Sequence, residues 1–188
     1  VQDVILPLEA GQHLLKVSKF IDDLLVNLYD REPYYNANSI EDLVGCLIVG
    51  LAPHTSVGII GRVIGFTNSQ VCFAHPYWHA AKRRDCDGDS DSVMLLMDVL
   101  LNFSKEFLPS QIGGLMDAPL LLQTIIIPSE VDEQAHNLDV AENYPIIFYE
   151  SSMKSEPPHT LTKAIDIVKN RLKKENQFYG FNFTHDTS

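Results

Sequence analysis

The sequence predicts a mixed α+β domain. One long stretch, Ala10 to Tyr29, repeats its apolar residues at a helical period, while several short β-branched runs are punctuated by glycine. Hydrophobic residues make up 45% and charged residues 21% of 188 positions, which is ordinary for a chain that buries a real core.

Taken in order, Val4-Ile5-Leu6 before Pro7 reads as a short strand. Leu14, Leu15, Val17, Ile21, Leu24, Leu25 and Leu28 then form the apolar stripe of an amphipathic helix, and Asp30 to Ser39 is a polar loop containing Pro33. Ser39-Ile40-Glu41-Asp42 has a capping hydroxyl and first-turn acids, the signature of a short helix start. Gly45 and Gly50 bracket a β-like run, Cys46 to Val49. Gly58, Gly61 and Gly65 break up an Ile- and Val-rich segment, where glycine suggests a bulge, a bend or close backbone approach. Val71 to Ala74 reads as another strand, Asp85 to Ser92 as a polar loop, and Val93 to Leu108 as a buried helix ended by Pro109 and Gly113-Gly114. Leu120 to Ile127 and Pro145 to Tyr149 are predicted strands, Leu161 to Lys174 a basic helix, and Phe178 to Phe183 a final strand.

Composition excludes several classes. Asp98 interrupts the longest apolar stretch well before the roughly 20 residues a membrane span needs, and no signal-peptide pattern opens the chain. The start at Val1 rather than Met suggests a piece of something longer. Cys46, Cys72 and Cys86 include no C-x-x-C pair, so no zinc site built from cysteines is expected, and reduced intracellular thiols are. A net charge of −11 opposes nucleic-acid binding in bulk. Its distribution weakens that objection: Glu130 to Glu156 holds seven acids and one lysine, while Lys163 to Glu175 holds five basic residues and two acids.

The sharpest feature is Asp85-Cys86-Asp87-Gly88-Asp89-Ser90-Asp91. Such a run is often just a solvated loop. Here the acids alternate, so they can converge on one side, and Gly88 permits the tight backbone a metal loop requires. Clustered carboxylates suit a hard cation such as Mg2+. A calcium EF-hand fits poorly: counted from Asp85 its required glycine falls on Ser90, and counted from Asp87 on Ser92. Upstream, His75 and His79 have i, i+4 spacing, but Pro76 intervenes and no H-E-x-x-H pattern exists, so a zinc pair is not expected and hydrogen-bonded structural histidines remain an equal reading. Lys82-Arg83-Arg84 is either a solvated helix end or a cationic partner that helps a metal hold a polyphosphate.

HPYWHAAKRR, DCDGDSD, VMLLMDVLLNFS and GGLMDAPL together resemble the large, catalytic subunit of archaeal D-family DNA polymerases. The resemblance extends back through VILPLEAGQHLLKVSKFIDDLL and GLAPHTSVGIIGRVIGFT and forward to THDTS, nearly the whole chain. It implies a double-psi β-barrel of the two-barrel polymerase superfamily, with the barrel at about 40–127 and helical and strand elements flanking it at 1–39 and 128–188 of a single catalytic-core domain.

The resemblance also implies function. Asp87 and Asp89 match the catalytic, magnesium-holding carboxylates; Asp85 stands where the family usually carries Asn, as a third metal ligand in the D-x-D-G-D manner of RNA polymerases. Lys82, Arg83, Arg84, His75 and His79 become candidate phosphate or nucleic-acid contacts. The implied reaction is Mg2+-dependent transfer of a nucleotide from a dNTP to a primer 3′-hydroxyl, with Mn2+ as a substitute. Implied partners are primer-template DNA, the rest of the large subunit with its first barrel and zinc modules, a small exonuclease subunit and a sliding clamp, in the cytoplasm of an archaeal cell and not at a membrane. The alternative is a non-catalytic nucleic-acid-binding or cation-stabilised structural module derived from such a polymerase.

Overall fold

The computed structural model describes residues 1–52, 57–85, 87–102, 120–121 and 126–181. Strand β1 (Gln2–Pro7) buries Val4, Ile5 and Leu6 and runs directly into α1 (Leu8–Asn27). Helix α1 turns Gly11, Leu14, Ser18, Ile21 and Leu25 inward, a three-four spacing that makes one continuous stripe. Each fully buried Leu or Ile on it stabilises the fold by roughly 1.5–3 kcal/mol. The loop after α1 is tied back by Asp22, whose carboxylate accepts the N–H groups of Tyr34, Tyr35 and Asn36 at 2.7, 2.9 and 2.8 Å.

The predicted helix start at Ser39 is a single 3-10 turn, Glu41–Leu43, without a side-chain cap. Asp42 organises it instead, accepting the N–H groups of Asn38 and Ser39 at 2.9 Å each, and these bonds hold its carboxyl below the usual carboxylate range. Strand β2 (Leu47–Leu51) and the long β3 (Val57–Thr67) follow, with Gly50 inside β2 rather than bounding it. The remaining elements are β4 (Phe73–Ala74), α2 (Pro76–Lys82), β5 (Val93–Leu95), α3 (Leu96–Asn102), β6 (Leu120–Leu121), α4 (Ile146–Met153) and the single-turn α5 (Val168–Arg171). Among the described residues these strands form a sheet ordered β4-β1-β3-β2-β5, with β6 also paired to β3, so the fold is mixed α+β. No described helix is long and apolar enough to cross a membrane.

Strand β3 is the spine. It runs parallel to β1, and the register jumps from Val4↔Val63 to Ile5↔Gly65, leaving Ile64 as an extra residue on β3. Against β2 it is antiparallel, with Gly50 opposite Ile59 and Gly61 opposite Ile48. Helix α2 lies on this part of the sheet because Gly50 and Gly61 clear a seat for Trp78, which is fully buried. A Cβ at Gly50 would come within 2.7 Å of the indole, and one at Gly61 within 2.6 Å. A second cluster, Ala80, Val140, Val168 and Phe178, packs the C-terminal segment onto α2.

Several predicted elements differ. Val93 to Leu95 is a strand because the open edge of β2 captures it, Gly50↔Val93 through Ile48↔Leu95, so the helix begins only at Leu96. In its described part Val99 is buried and Leu100 is exposed; 103–108, Pro109 and Gly113-Gly114 lie outside the described residues. The strand expected from Leu120 to Ile127 is seen at Leu120–Leu121, 122–125 lie outside the description, and Ile126 and Ile127 are not in a strand. The strand expected from Val71 is only Phe73–Ala74. Pro145 to Tyr149 is not a strand: Pro145 caps helix α4, and the stacking of Tyr144 on Phe148, 4.6 Å between centroids, takes the i, i+4 spacing of a helical turn. The basic helix expected over Leu161 to Lys174 shrinks to Val168–Arg171, because Asp166 and Val168 spend their backbone groups on Val140 and Leu138, both at 2.9 Å. Of the strand expected from Phe178 to Phe183, Phe178 to Gly180 forms turns and bends instead, and 182–183 lie outside the described residues.

The glycine seat makes a testable contrast. Gly61→Ala drives a methyl into Trp78 and Val4 and should lower unfolding stability by about 1–3 kcal/mol. Gly65→Ala, where nothing lies within 4 Å, should be neutral or slightly stabilising in the same urea titration.

Candidate metal centre

Helix α2 aims the aspartate loop. His75 caps its start, Nδ1 accepting the Tyr77 N–H at 3.1 Å, and Pro76 occupies the first turn, where a missing N–H costs nothing. The helix stops at Arg83, which adopts a left-handed conformation (φ 55°) and turns the chain outward. Gly88 turns it again at φ 119°, a conformation side chains rarely tolerate. The loop is then caught by the sheet: the Leu51 N–H donates to the Ser92 carbonyl at 3.0 Å, and β5 follows.

Between these anchors Asp85, Asp87 and Asp89 converge, each offering a carboxylate oxygen within 4.8 Å of the others. Asp85 is half-buried; Asp87 and Asp89 are exposed. Partial burial, then the charges of Asp87, Asp89 and Asp132, push the Asp85 carboxyl above the usual carboxylate range, and Arg84 offsets this only in part. Such a cluster has a surplus of negative charge that a dication would neutralise. Three converging hard oxygens with open solvent on one side fit Mg2+, which keeps several waters and takes its other ligands from phosphates.

The basic and histidine residues separate into different settings. Arg83 is exposed, and Arg84 is half-buried with Nη1 3.8 Å from Asp89 Oδ2, a loose contact. Lys82 is drawn inward: its side chain is fully buried, ion-paired with Asp91, and its amine lies 4.9 Å from the centroid of the Trp78 ring. That position is buried and paired rather than a solvated helix end. His75 is bonded to the backbone of Phe178, and burial moves its pKa down. His79 is bonded to the backbone of Ala74; burial, then the Lys82 charge, pushes its pKa down to about 3. Both histidines, Arg84, Asp85 and Asp89 line one open cleft of about 1220 Å³ that also reaches His13 and Asp139. Asp91 and Trp78 are the residues sequence reasoning passed over. Asp91 continues the alternation of the three acids, and Trp78 lies four residues before Lys82, one helical turn away on the same face. Cys86 lies outside the described residues, and Cys46 and Cys72 are free thiols.

Fold and site together define an α+β domain that presents a carboxylate loop suited to a divalent cation. The chain belongs to the family described as DNA polymerase II large subunit DP2, catalytic domain, whose family model matches residues 1–188. It is 56% identical over 186 residues to the DNA polymerase II large subunit of Archaeoglobus fulgidus, covering 99% of this chain and 16% of that protein. The large subunits of Pyrococcus furiosus (55% over 186 residues) and Methanococcoides burtonii (54% over 188) are similar across 99% and 100% of this chain and 15% and 16% of their own lengths. The chain thus spans about one-sixth of the curated relatives it matches.

The setting of His79 predicts its titration. Its imidazole should stay neutral at pH 5, whereas a free histidine is half-protonated near pH 6.5. Because the folded pKa is depressed, its contribution to stability is complete above about pH 6.5 and declines as pH falls towards 3, by at most about 1.4 kcal/mol per pH unit. An NMR titration midpoint for His79 at or above 6.5 would refute the burial argument.

Proposed function

We propose that this chain is the metal-holding part of the catalytic core of a Mg2+-dependent, DNA-directed DNA polymerase, adding nucleotides from dNTPs to a primer 3′-hydroxyl. The convergence of Asp85, Asp87 and Asp89 between α2 and β5 carries the reading, and the names of the similar large subunits support it. Asp87 and Asp89, exposed at the tip, hold the cation; Asp85 adds a third oxygen from its half-buried position. When bound, Mg2+ supplies Lewis-acid charge neutralisation and lowers the pKa of a coordinated hydroxyl, and Mn2+ can replace it. Arg83 and Arg84 stand on the solvent side, placed to meet the phosphates of a dNTP or template. His75 and His79 line the same cleft as neutral groups, shaping it rather than adding charge.

In this reading the strands and bends at about 40–127 form one double-psi β-barrel of a two-barrel polymerase, with 1–39 and 128–188 flanking it in a single domain. The complete enzyme works in the archaeal cytoplasm with primer-template DNA, the rest of the large subunit including its first barrel and zinc modules, a small exonuclease subunit and a sliding clamp.

Primer extension by the assembled two-subunit polymerase tests the proposal. Asp87→Ala and Asp89→Ala should each lose at least about a hundredfold in rate while circular dichroism stays native. Asp85→Asn should retain extension, since an amide oxygen can still ligate. Robust extension by both alanine variants, or none by a folded native assembly, would overturn it, the latter in favour of a non-catalytic binding module.

A further inference from the structure

Lys82 is the residue whose position departs most from its expected role. Its stem passes over β2, where a Cβ on Gly50 would come within 2.7 Å of the Lys82 Cδ, and its amine ends over the Trp78 ring rather than in solvent. A buried ammonium costs several kcal/mol in lost hydration unless it is compensated. Asp91, with a side chain 25% exposed, and the indole face supply that compensation. Lys82 is the last residue of α2, and Asp91 lies at the far end of the aspartate loop, just before β5. The pair therefore joins the two arms of the loop at its base.

We infer that Lys82 is a positioning residue: by pairing with Asp91 it clasps the aspartate loop shut, so that Asp85, Asp87 and Asp89 are held close enough to share one cation. The inference rests on the proposed metal-dependent reading. Three carboxylates with oxygens within 4.8 Å of one another repel, and that repulsion spreads a loop whose arms are free. Among the described residues, backbone bonds fix the arms at the loop's two ends, at Arg83 to Ala80 and at Ser92 to Leu51. The Lys82–Asp91 pair crosses between those anchors. Asp91, although continuous with the other acids in the sequence, is thereby assigned to the clasp and not to the metal.

The test uses the assembled polymerase with Lys82→Met, Asp91→Asn and the double variant. Three quantities are read: Mn2+ binding by electron paramagnetic resonance, with Asp87→Ala subtracting other sites; the Mg2+ concentration for half-maximal extension; and KM for dNTP at saturating Mg2+. Each single variant should weaken Mn2+ binding and raise the Mg2+ requirement about tenfold, the range for residues that orient metal ligands, with KM for dNTP within about twofold. The double variant should be no worse than the poorer single one. A raised KM for dNTP with native metal binding would make Lys82 a phosphate contact and overturn the clasp. So would native metal binding in Asp91→Asn, a change at the partly exposed end of the pair that can be read wherever circular dichroism stays native, even if Lys82→Met fails to fold. If the native assembly extends no primer, the polymerase reading fails by itself, and Mn2+ binding still decides the clasp.

Discussion

The contact between the Trp78 indole and the bare backbone at Gly50 and Gly61 is the constraint on which the rest depends. It sets the height of α2 above the sheet, since any Cβ at either strand position would hold the helix away. With the helix seated there, its C-terminus lies beside the end of β2, where β5 is captured, and a loop can run from one to the other. The same seat brings Lys82, one turn after Trp78, over the ring face. The C-terminal segment presses on the helix from another side through Ala80 and Phe178, and the edge-on Tyr77–Phe178 contact at 5.9 Å adds to it. Helix α2 is thus held between two apolar clusters, and its end is a rigid base for acidic residues that would otherwise spread apart.

Rigidity of this kind is what distinguishes a ligand loop from a solvated one. An acidic run in water relaxes until its charges are apart, whereas this one is fixed at both arms, with Arg83 and Gly88 in left-handed conformations that cost or require special backbone. Partial burial first, and then the neighbouring charges of Asp87, Asp89 and Asp132, raise the Asp85 carboxyl above its usual range, so crowding adds to what burial begins. The fold supplies the crowding by packing, and a cation is the natural counterweight.

Much of this was legible in the chain, and the gaps have physical reasons. Strand β1 and helix α1 carry complete local signals, and both formed within two residues of their expected ends. The acids and Gly88 announced a loop, because alternation and a permissive glycine are local properties too. What could not be read locally was pairing. Val93 to Leu95 has the composition of the helix that follows, and only the open edge of β2 makes it a strand. Asp166 to Val168 looks helical until Leu138 to Val140 arrives to take its backbone bonds. Pro145 to Tyr149, apolar and β-branched, has no strand neighbour among the described residues and so coils into a helix, leaving Ile146 at 75% exposure. The burial of Lys82 belongs to the same class, for a lysine at a helix end is solvated by default. Its path runs over Gly50 on β2, far away in the sequence.

The overall acidity of the chain bears on the proposed chemistry in a way that bulk charge obscures. A triphosphate approaching the loop meets three carboxylates, and Asp132 acts on Asp85 as well. Lys82 is occupied by Asp91, so the open cations beside the loop are Arg83 and Arg84, one of them already leaning towards Asp89. Three carboxylates against two guanidiniums leave the loop net negative, which disfavours a polyphosphate within a Debye length, roughly 8 Å at physiological salt. A divalent ion reverses the balance locally, turning the carboxylate cluster into a point of attachment. In the proposed enzyme the cation is therefore more than a catalyst of the final step, since it also offsets the negative charge that a triphosphate would meet at this loop.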